Sequence, residues 1–460
     1  MATSSEARTD PRVRALLRAI DSGENPTLVG RLGSYVGLVL AAVRRDTRRV
    51  PVIVVPDEAR ALELQLAMTF FEDAEHTLEP VPTLRALNHH PFSGMSPSRG
   101  LVMERTATLF RLVHGLEVSA VVIPATALLD RVMPRSVLAD RAELVIAGDT
   151  LDRQGLLRFL ANSGYHPVGA VEDPGTYAIR GGVVDVFAPL YARPIRIDLW
   201  GDQVDGLRFF DTATQRSVKE LEEVAIGPVR DVLFDPQTVA MARERLFSLA
   251  DELEVPSSRA RALVEDVENG ILAVGMEDLL PAFFDTLGTV FDAVPSDALW
   301  IIDEPELCYE ALERRWDDVS ARAARGRDGG GQMVFRAEDL FVSAPKVQEL
   351  LKARAAVTIR PIETLDSAPC VRFDAQDHRE VRQEIENASR EGGDEVLAPF
   401  TRRVRAWRER GAAVAVCAHS EGGVERLSGL LGHYGLKVAR GSGAFTLDKI
   451  EELQAADAEI

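Results

Sequence analysis

Cysteine is nearly absent: three in 460 residues, Cys308, Cys370 and Cys417, far apart and with no CxxC. An odd, dispersed set argues against a disulfide framework or a thiolate zinc site and predicts a reducing, cytoplasmic setting. Long apolar runs are missing too. The longest uncharged stretch rich in apolar residues spans 32–43, well short of the ~20 residues that cross a bilayer, so no membrane partner is expected. Residues 1–8 hold no apolar core of a secretory signal, and none is expected. Positive charge is in deficit, 53 Lys plus Arg against 72 Asp plus Glu, a net −19. That excludes a chain-wide basic surface for nucleic acid and predicts weak, non-specific DNA binding at most. There is no HExxH, GxSxG or GxGxxG, and Cys417 with His419 lacks an orienting residue nearby. Metalloprotease, serine-hydrolase and dinucleotide chemistry are therefore unsupported.

What is present is an ordinary globular balance, 46% hydrophobic and 27% charged, with room for about three domains at ~150 residues each. Through residue 130, short apolar runs (27–30, 52–56, 120–124) alternate with helical stretches, 58–71 and 126–132 among them. Such runs, unbroken by polar residues, indicate a parallel sheet buried on both faces. Near residue 140 the pattern becomes one helix, 151–163, capped by Thr150 or Asp149, then strands at 182–187, 194–200, 203–210 and 218–226 with a turn at Gly201-Asp202. A helix with an antiparallel meander is a small α+β insertion. Helical periodicity returns over 237–269, a buried-type strand follows at 298–302, and 325–331 reads as a flexible glycine loop. A last unit begins near 365 with helices 378–390, 395–410 and 423–434 and a strand at 413–417. It stops where an α/β unit needs another strand, which suggests a truncated chain.

Four places could carry chemistry. Residues 30–37 (GRLGSYVG) lie between a strand and a helix, where a phosphate loop GxxxxGK[ST] sits. Aligning on Gly30, with Gly33 inside the loop, puts Tyr35 at the second glycine, Val36 at the lysine and Gly37 at the hydroxyl, so every phosphate- and magnesium-binding group is lost. Asp303-Glu304 ends the strand at 298–302, where a Walker B pair holds magnesium; without the lysine, an N-cap at Asp303 and a solvated turn fit better. His89-His90 has no third ligand at metal spacing and reads as a surface loop. In the strand at 194–200, alternation puts Ile195, Ile197 and Leu199 on one face and Arg196, Asp198 and Trp200 on the other, with Arg180 before Gly181-Gly182 at the start of the neighbouring strand. Arg and Trp are enriched at binding hot spots, although an ordinary solvated face has the same pattern.

Residues 177–187 (YAIRGGVVDVF), 195–205 (IRIDLWGDQVD) and 207–211 (LRFFD) closely resemble the UvrB-homology module of the bacterial transcription-repair coupling factor (Mfd) family. UvrB carries a similar stretch. Residues 91–97 (PFSGMSP) and 300–306 (WIIDEPE) also resemble that family. The resemblance implies a helicase-like, P-loop NTPase-type α/β domain with a degenerate nucleotide site, split into 1–141 and 228–364. An inserted α+β UvrA-binding domain would span 142–227 and a small C-terminal α/β domain 365–460. It also implies that Arg180, Arg196 and Trp200, with Asp198 between the last two, contact UvrA; Trp200 stands where the family pattern has Phe. The degenerate loop does not fit the UvrB ATPase, and no long aromatic hairpin lies between His89 and Arg105. The chain thus looks like the N-terminal part of a longer parent. No cofactor is expected here. ATP, magnesium, RNA polymerase and DNA belong to translocase and polymerase-binding domains that this chain lacks. The alternatives are an ATP-driven helicase-like enzyme, opposed by Val36, and a UvrB-like binder of damaged DNA, opposed by the missing hairpin.

Overall fold

The computed structural model describes residues 10–440 except 31, 72–80, 88, 330–331, 364–368, 374–378, 391–395, 413, 417 and 419. Helix Pro11–Asp21 leads into β1 (Thr27–Val29), helix Tyr35–Thr47, β2 (Pro51–Val55), helices Glu58–Phe71 and Arg99–His114, β3 (Val121–Pro124) and a short β4 (Arg131–Val132). The inserted unit holds β5 (Glu143–Ile146), helix Arg153–Asn162, β6 (His166–Pro167), β7 (Thr176–Arg180), β8 (Val183–Val186), β9 (Ile195–Trp200), β10 (Gln203–Phe210), β11 (Ser217–Glu220) and β12 (Glu223–Ile226). Helices Pro236–Glu252 and Ser257–Glu268 follow, then β13 (Gly288–Thr289), β14 (Leu299–Asp303), helices Pro305–Asp328 and Ala344–Arg354, β15 (Ala355–Arg360) and β16 (Cys370–Arg372). Helices Arg379–Arg390, Ala398–Glu409 and Glu421–His433 come last, and the short helical segments Arg135–Asp140, Met276–Ala282, Val290–Ala293 and Ala337–Leu340 lie between the longer elements.

The fold is mixed α/β. Six parallel strands run in the order β16-β1-β15-β14-β2-β3. Both faces are covered, which explains the unbroken apolar runs. Val52 and Val54 of β2 join one core with Trp300 and Ile302, whereas Ile53 and Val55 join the opposite core with Leu299 and Ile301. The second sheet, β11-β10-β9-β8-β7-β6, is antiparallel except for β6 beside β7. Its inner face, with Val184, Ile195 and Ile197, packs with Leu156 and Leu160 of helix Arg153–Asn162. The ends of the insertion are tied together where β5 pairs antiparallel with β12.

Arg105 is among the largest fully buried side chains. Its guanidinium lies 3.1 Å from the Asp130 carboxylate and donates to the Arg85 carbonyl at 2.6 Å. The next residue, Thr106, donates to Asp231 at 3.1 Å, just past the return from the insertion. Burial pushes the Asp231 carboxyl up against the opposing pull of Arg105.

Several elements differ from their sequence expectation. Residues 126–132 form a 3-10 turn, Ala125–Leu128, and β4 rather than one helix. The stretch 237–269 is two helices, because Pro256 caps the second. The strand at 218–226 splits into β11 and β12, which join different sheets. Helix Arg153–Asn162 starts after Asp152, not Thr150 or Asp149. Helix Pro305–Asp328 runs through the start of the glycine loop expected at 325–331, and of that loop 330–331 lie outside the described residues. The boundary at 364 falls too early, since β16 pairs with β1 and belongs to the first sheet. In the expected strand 413–417, Val414 to Val416 are irregular, and 413 and 417 lie outside the described residues.

Gly30 adopts φ +130, and a side-chain carbon there would overlap the Phe373 carbonyl oxygen. Gly33 also has positive φ, +49, but open space around it. Gly30→Ala is therefore expected to cost more than ~2 kcal/mol in a denaturant titration, and Gly33→Ala only ~1 kcal/mol. Equal losses would mean that Phe373 does not set the requirement at Gly30.

Candidate functional site

The loop after β1 is a packing turn. Tyr35 sets its ring 5.9 Å from that of Phe373 and its hydroxyl 3.4 Å from Asp10. The Arg12 guanidinium lies 5.0 Å over the same Phe373 ring, and its hydrogen bonds hold the Asp10 carboxyl below its usual range. Val36, at the lysine position, has no exposed surface and packs in the core. A side chain at Gly37 would collide with the Ala67 backbone at 2.7 Å, so this glycine lets helix Tyr35–Thr47 approach helix Glu58–Phe71. Ser34 precedes the helix without a side-chain capping bond.

Asp303 is not the N-cap anticipated from sequence. It ends β14, buried, with Arg60 Nε 2.6 Å from its carboxylate. Burial pushes this carboxyl up despite the pull of Arg60. Glu304 takes the N-cap position at φ +48 with no side-chain capping bond. An arginine thus occupies the carboxylate that a magnesium ion would need. His89 departs from the surface-loop reading as well. Its side chain is buried, and Nε2 lies 3.0 Å from Asp278, which also accepts from the Phe92 amide at 2.6 Å. His90 is exposed. Among the described residues no three His, Cys, Asp or Glu gather as metal ligands.

The outer face of the antiparallel sheet does bring Arg180, Arg196, Asp198 and Trp200 together. β7 and β8 form a hairpin through Gly181-Gly182, with Arg180 opposite Val183. Val183 in turn pairs with Asp198 of β9. Directly opposed residues share a face, so Arg180 stands two strands from Asp198, which lies between Arg196 and Trp200. Arg180 is therefore the last residue of its own strand rather than the start of β8. The β9 alternation is as the sequence implies: Ile195, Ile197 and Leu199 are buried, and Trp200 is 81% exposed.

The four residues differ in kind. Trp200 and Arg180 are exposed, the latter donating to the Gly169 carbonyl at 2.8 Å. Arg196 does not belong to an exposed patch with them. It forks onto the Asp185 carboxylate at 2.7 and 2.9 Å, and that side chain is 1% exposed. It also bonds the Gln215 carbonyl at 3.2 Å and lies 4.4 Å over the Phe210 ring. The hydrogen bonds it donates to Asp185 hold its guanidinium above the ordinary value. Asp198 is paired with Arg208, and Gly206 opposite leaves room for that pair. Asp185, Arg208 and Phe210 were missed because alternation gives a residue's face but not its partner on the next strand. The outward position of Asp185 in β8 was the available signal.

Residues 145–231 match the UvrB interaction domain. Over 418 residues the chain is 30% identical to the transcription-repair-coupling factor of Myxococcus xanthus, an alignment covering 89% of this chain and 35% of that protein. It is 27% identical over 350 residues to that of Escherichia coli, covering 73% and 30%. To that of Haemophilus influenzae it is 24% identical over 323 residues, covering 70% and 27%. The chain spans about a third of the length of these curated relatives. The resemblance to transcription-repair coupling factors thus extends over most of the chain, with a UvrB interaction domain in the insertion.

Removing the arginine of a buried pair leaves an uncompensated charge. Arg196→Ala is expected to lower stability by about 3 kcal/mol, far more than the ~0.5 kcal/mol typical of an exposed strand position. Thermal and urea melts read this directly. A loss below ~1 kcal/mol would show that Asp185 does not depend on Arg196.

Proposed function

We propose that this chain is the UvrA-recruiting part of a transcription-repair coupling factor, and that the outer face of β7–β10 is the docking surface. The observation that carries this is Trp200, an 81% exposed tryptophan at the end of a strand inside the stretch that matches the UvrB interaction domain. Lone aromatics of that size on a rigid sheet are typical interface anchors. Arg180, two strands away on the same face, can fork onto a carboxylate of the partner. Arg196 and Asp198 contribute differently: their pairs with Asp185 and Arg208 stiffen the sheet that presents Trp200 and Arg180. RNA polymerase, DNA, ATP and magnesium fall to the remainder of a longer parent, and this chain needs no cofactor to recruit UvrA.

Titration calorimetry with UvrA tests the reading. Trp200→Ala and Arg180→Ala are each expected to weaken binding by roughly 30-fold, about 2 kcal/mol, with unchanged melts. Unaltered affinity for the double variant would refute the surface. A second expectation concerns the loop at 30–37. With Val36 buried in the core and Asp303 held by Arg60, magnesium-dependent ATP turnover should stay at the buffer background. Magnesium-stimulated turnover that Asp303→Asn abolishes would contradict the proposed absence of a working site.

A further inference from the structure

An open cleft of about 500 Å³ lies at the C-terminal end of helix Tyr35–Thr47, far in sequence from the insertion. Arg44, Arg45, Arg48 and Arg49 line it, and Arg111 reaches it from helix Arg99–His114. Its floor is apolar, with Ala41, Leu112, Leu116, Val118 and Pro295. Glu117 is the one carboxylate in the lining. Glu117 lies 3.7 Å from Arg44, and five guanidinium groups against this one carboxylate make the lining a positive concavity on a chain of net charge −19.

Favourable placement of cations at a helix C-terminus accounts for Arg44 and Arg45 in the last turn. It does not account for the rest. Arg48 sits beyond the helix in the left-handed conformation, φ 55, and is exposed. Arg49 donates through Nε to the Asp297 carbonyl at 2.7 Å and through one terminal nitrogen to the Ala298 carbonyl at 3.1 Å, neutral acceptors that do not offset its charge. Arg111 donates to the Leu190 carbonyl. Among the described residues neither Arg48 nor Arg49 pairs with a carboxylate. The backbone bonds hold the Arg49 fork in place, and a pre-placed arginine recognises phosphate oxygens at low ordering cost.

We infer that this cleft binds a compact polyphosphate, of the class of a nucleoside polyphosphate. The phosphates would lie among the arginines and the organic part on the apolar floor. The volume is that of a small-ligand site. The site is separate from the loop at 30–37 and requires no magnesium carboxylate.

The test is calorimetric titration of the full chain with sodium tripolyphosphate and with guanosine triphosphate, without magnesium, at two salt concentrations. Both probes should bind and weaken with salt. The Arg45→Gln, Arg48→Gln double variant should lose about tenfold in affinity, since charge-assisted bonds contribute most of the contact. Glu117→Gln should tighten binding severalfold. Absence of heat at millimolar probe, or wild-type affinity in both variants, overturns the site. If the double variant melts early, Glu117→Gln decides, and unchanged affinity overturns the proposal. A short DNA duplex that displaces tripolyphosphate at micromolar concentration would assign the cleft to backbone phosphates and overturn the compact ligand.

Discussion

The structure depends on a charge held where charge is expensive. Arg105 is 1% exposed, and its pairing with Asp130 sets three segments against one another. They are helix Arg99–His114, the turn leaving β3, and the loop that carries Arg85. Its neighbour Thr106 adds the segment at Asp231 where the chain returns from the insertion. Losing one partner of such a pair costs several kcal/mol, so the four segments keep one arrangement. The insertion is anchored by this arrangement and by β5 against β12, and its outer sheet face is left for contact.

Arginine does three different jobs in this molecule, separated by what the guanidinium meets. Arg60 closes on the carboxylate at the end of β14 and removes it from use. Arg196 closes on Asp185 within the sheet and makes a stiff platform. Arg48, Arg49 and Arg180 meet solvent or backbone carbonyls and keep their charge available. The overall charge of −19 conceals this, because a sum over the chain carries no information about where cations converge.

Where one physical cause dominates, the sequence was legible. The strands β2, β3 and β14 appear as apolar runs because a two-sided core accepts nothing else. The faces of β9 follow from a period of two, and the chemistry missing at Tyr35, Val36 and Gly37 is visible residue by residue. Positions decided by distant partners were not legible. Gly30 is required by Phe373, Arg196 is buried by Asp185 across the strand pair, and Asp303 is taken by Arg60. Boundaries failed where local signals were ambiguous. Pro256 could kink or cap, and residues 218–226 read as one strand because two short strands follow each other with only a brief turn between them.

The position of β1 has a consequence for how the chain is made. Thr27 pairs with Thr358 on one side and Cys370 on the other, so the first strand has no sheet neighbour until β15 and β16 have left the ribosome. The strands β7 to β11 pair with their sequence neighbours through short turns. Local pairing closes small loops and forms early, whereas pairing across such distances comes late. During synthesis the outer face bearing Trp200 therefore forms while β1 still lacks both of its strand partners.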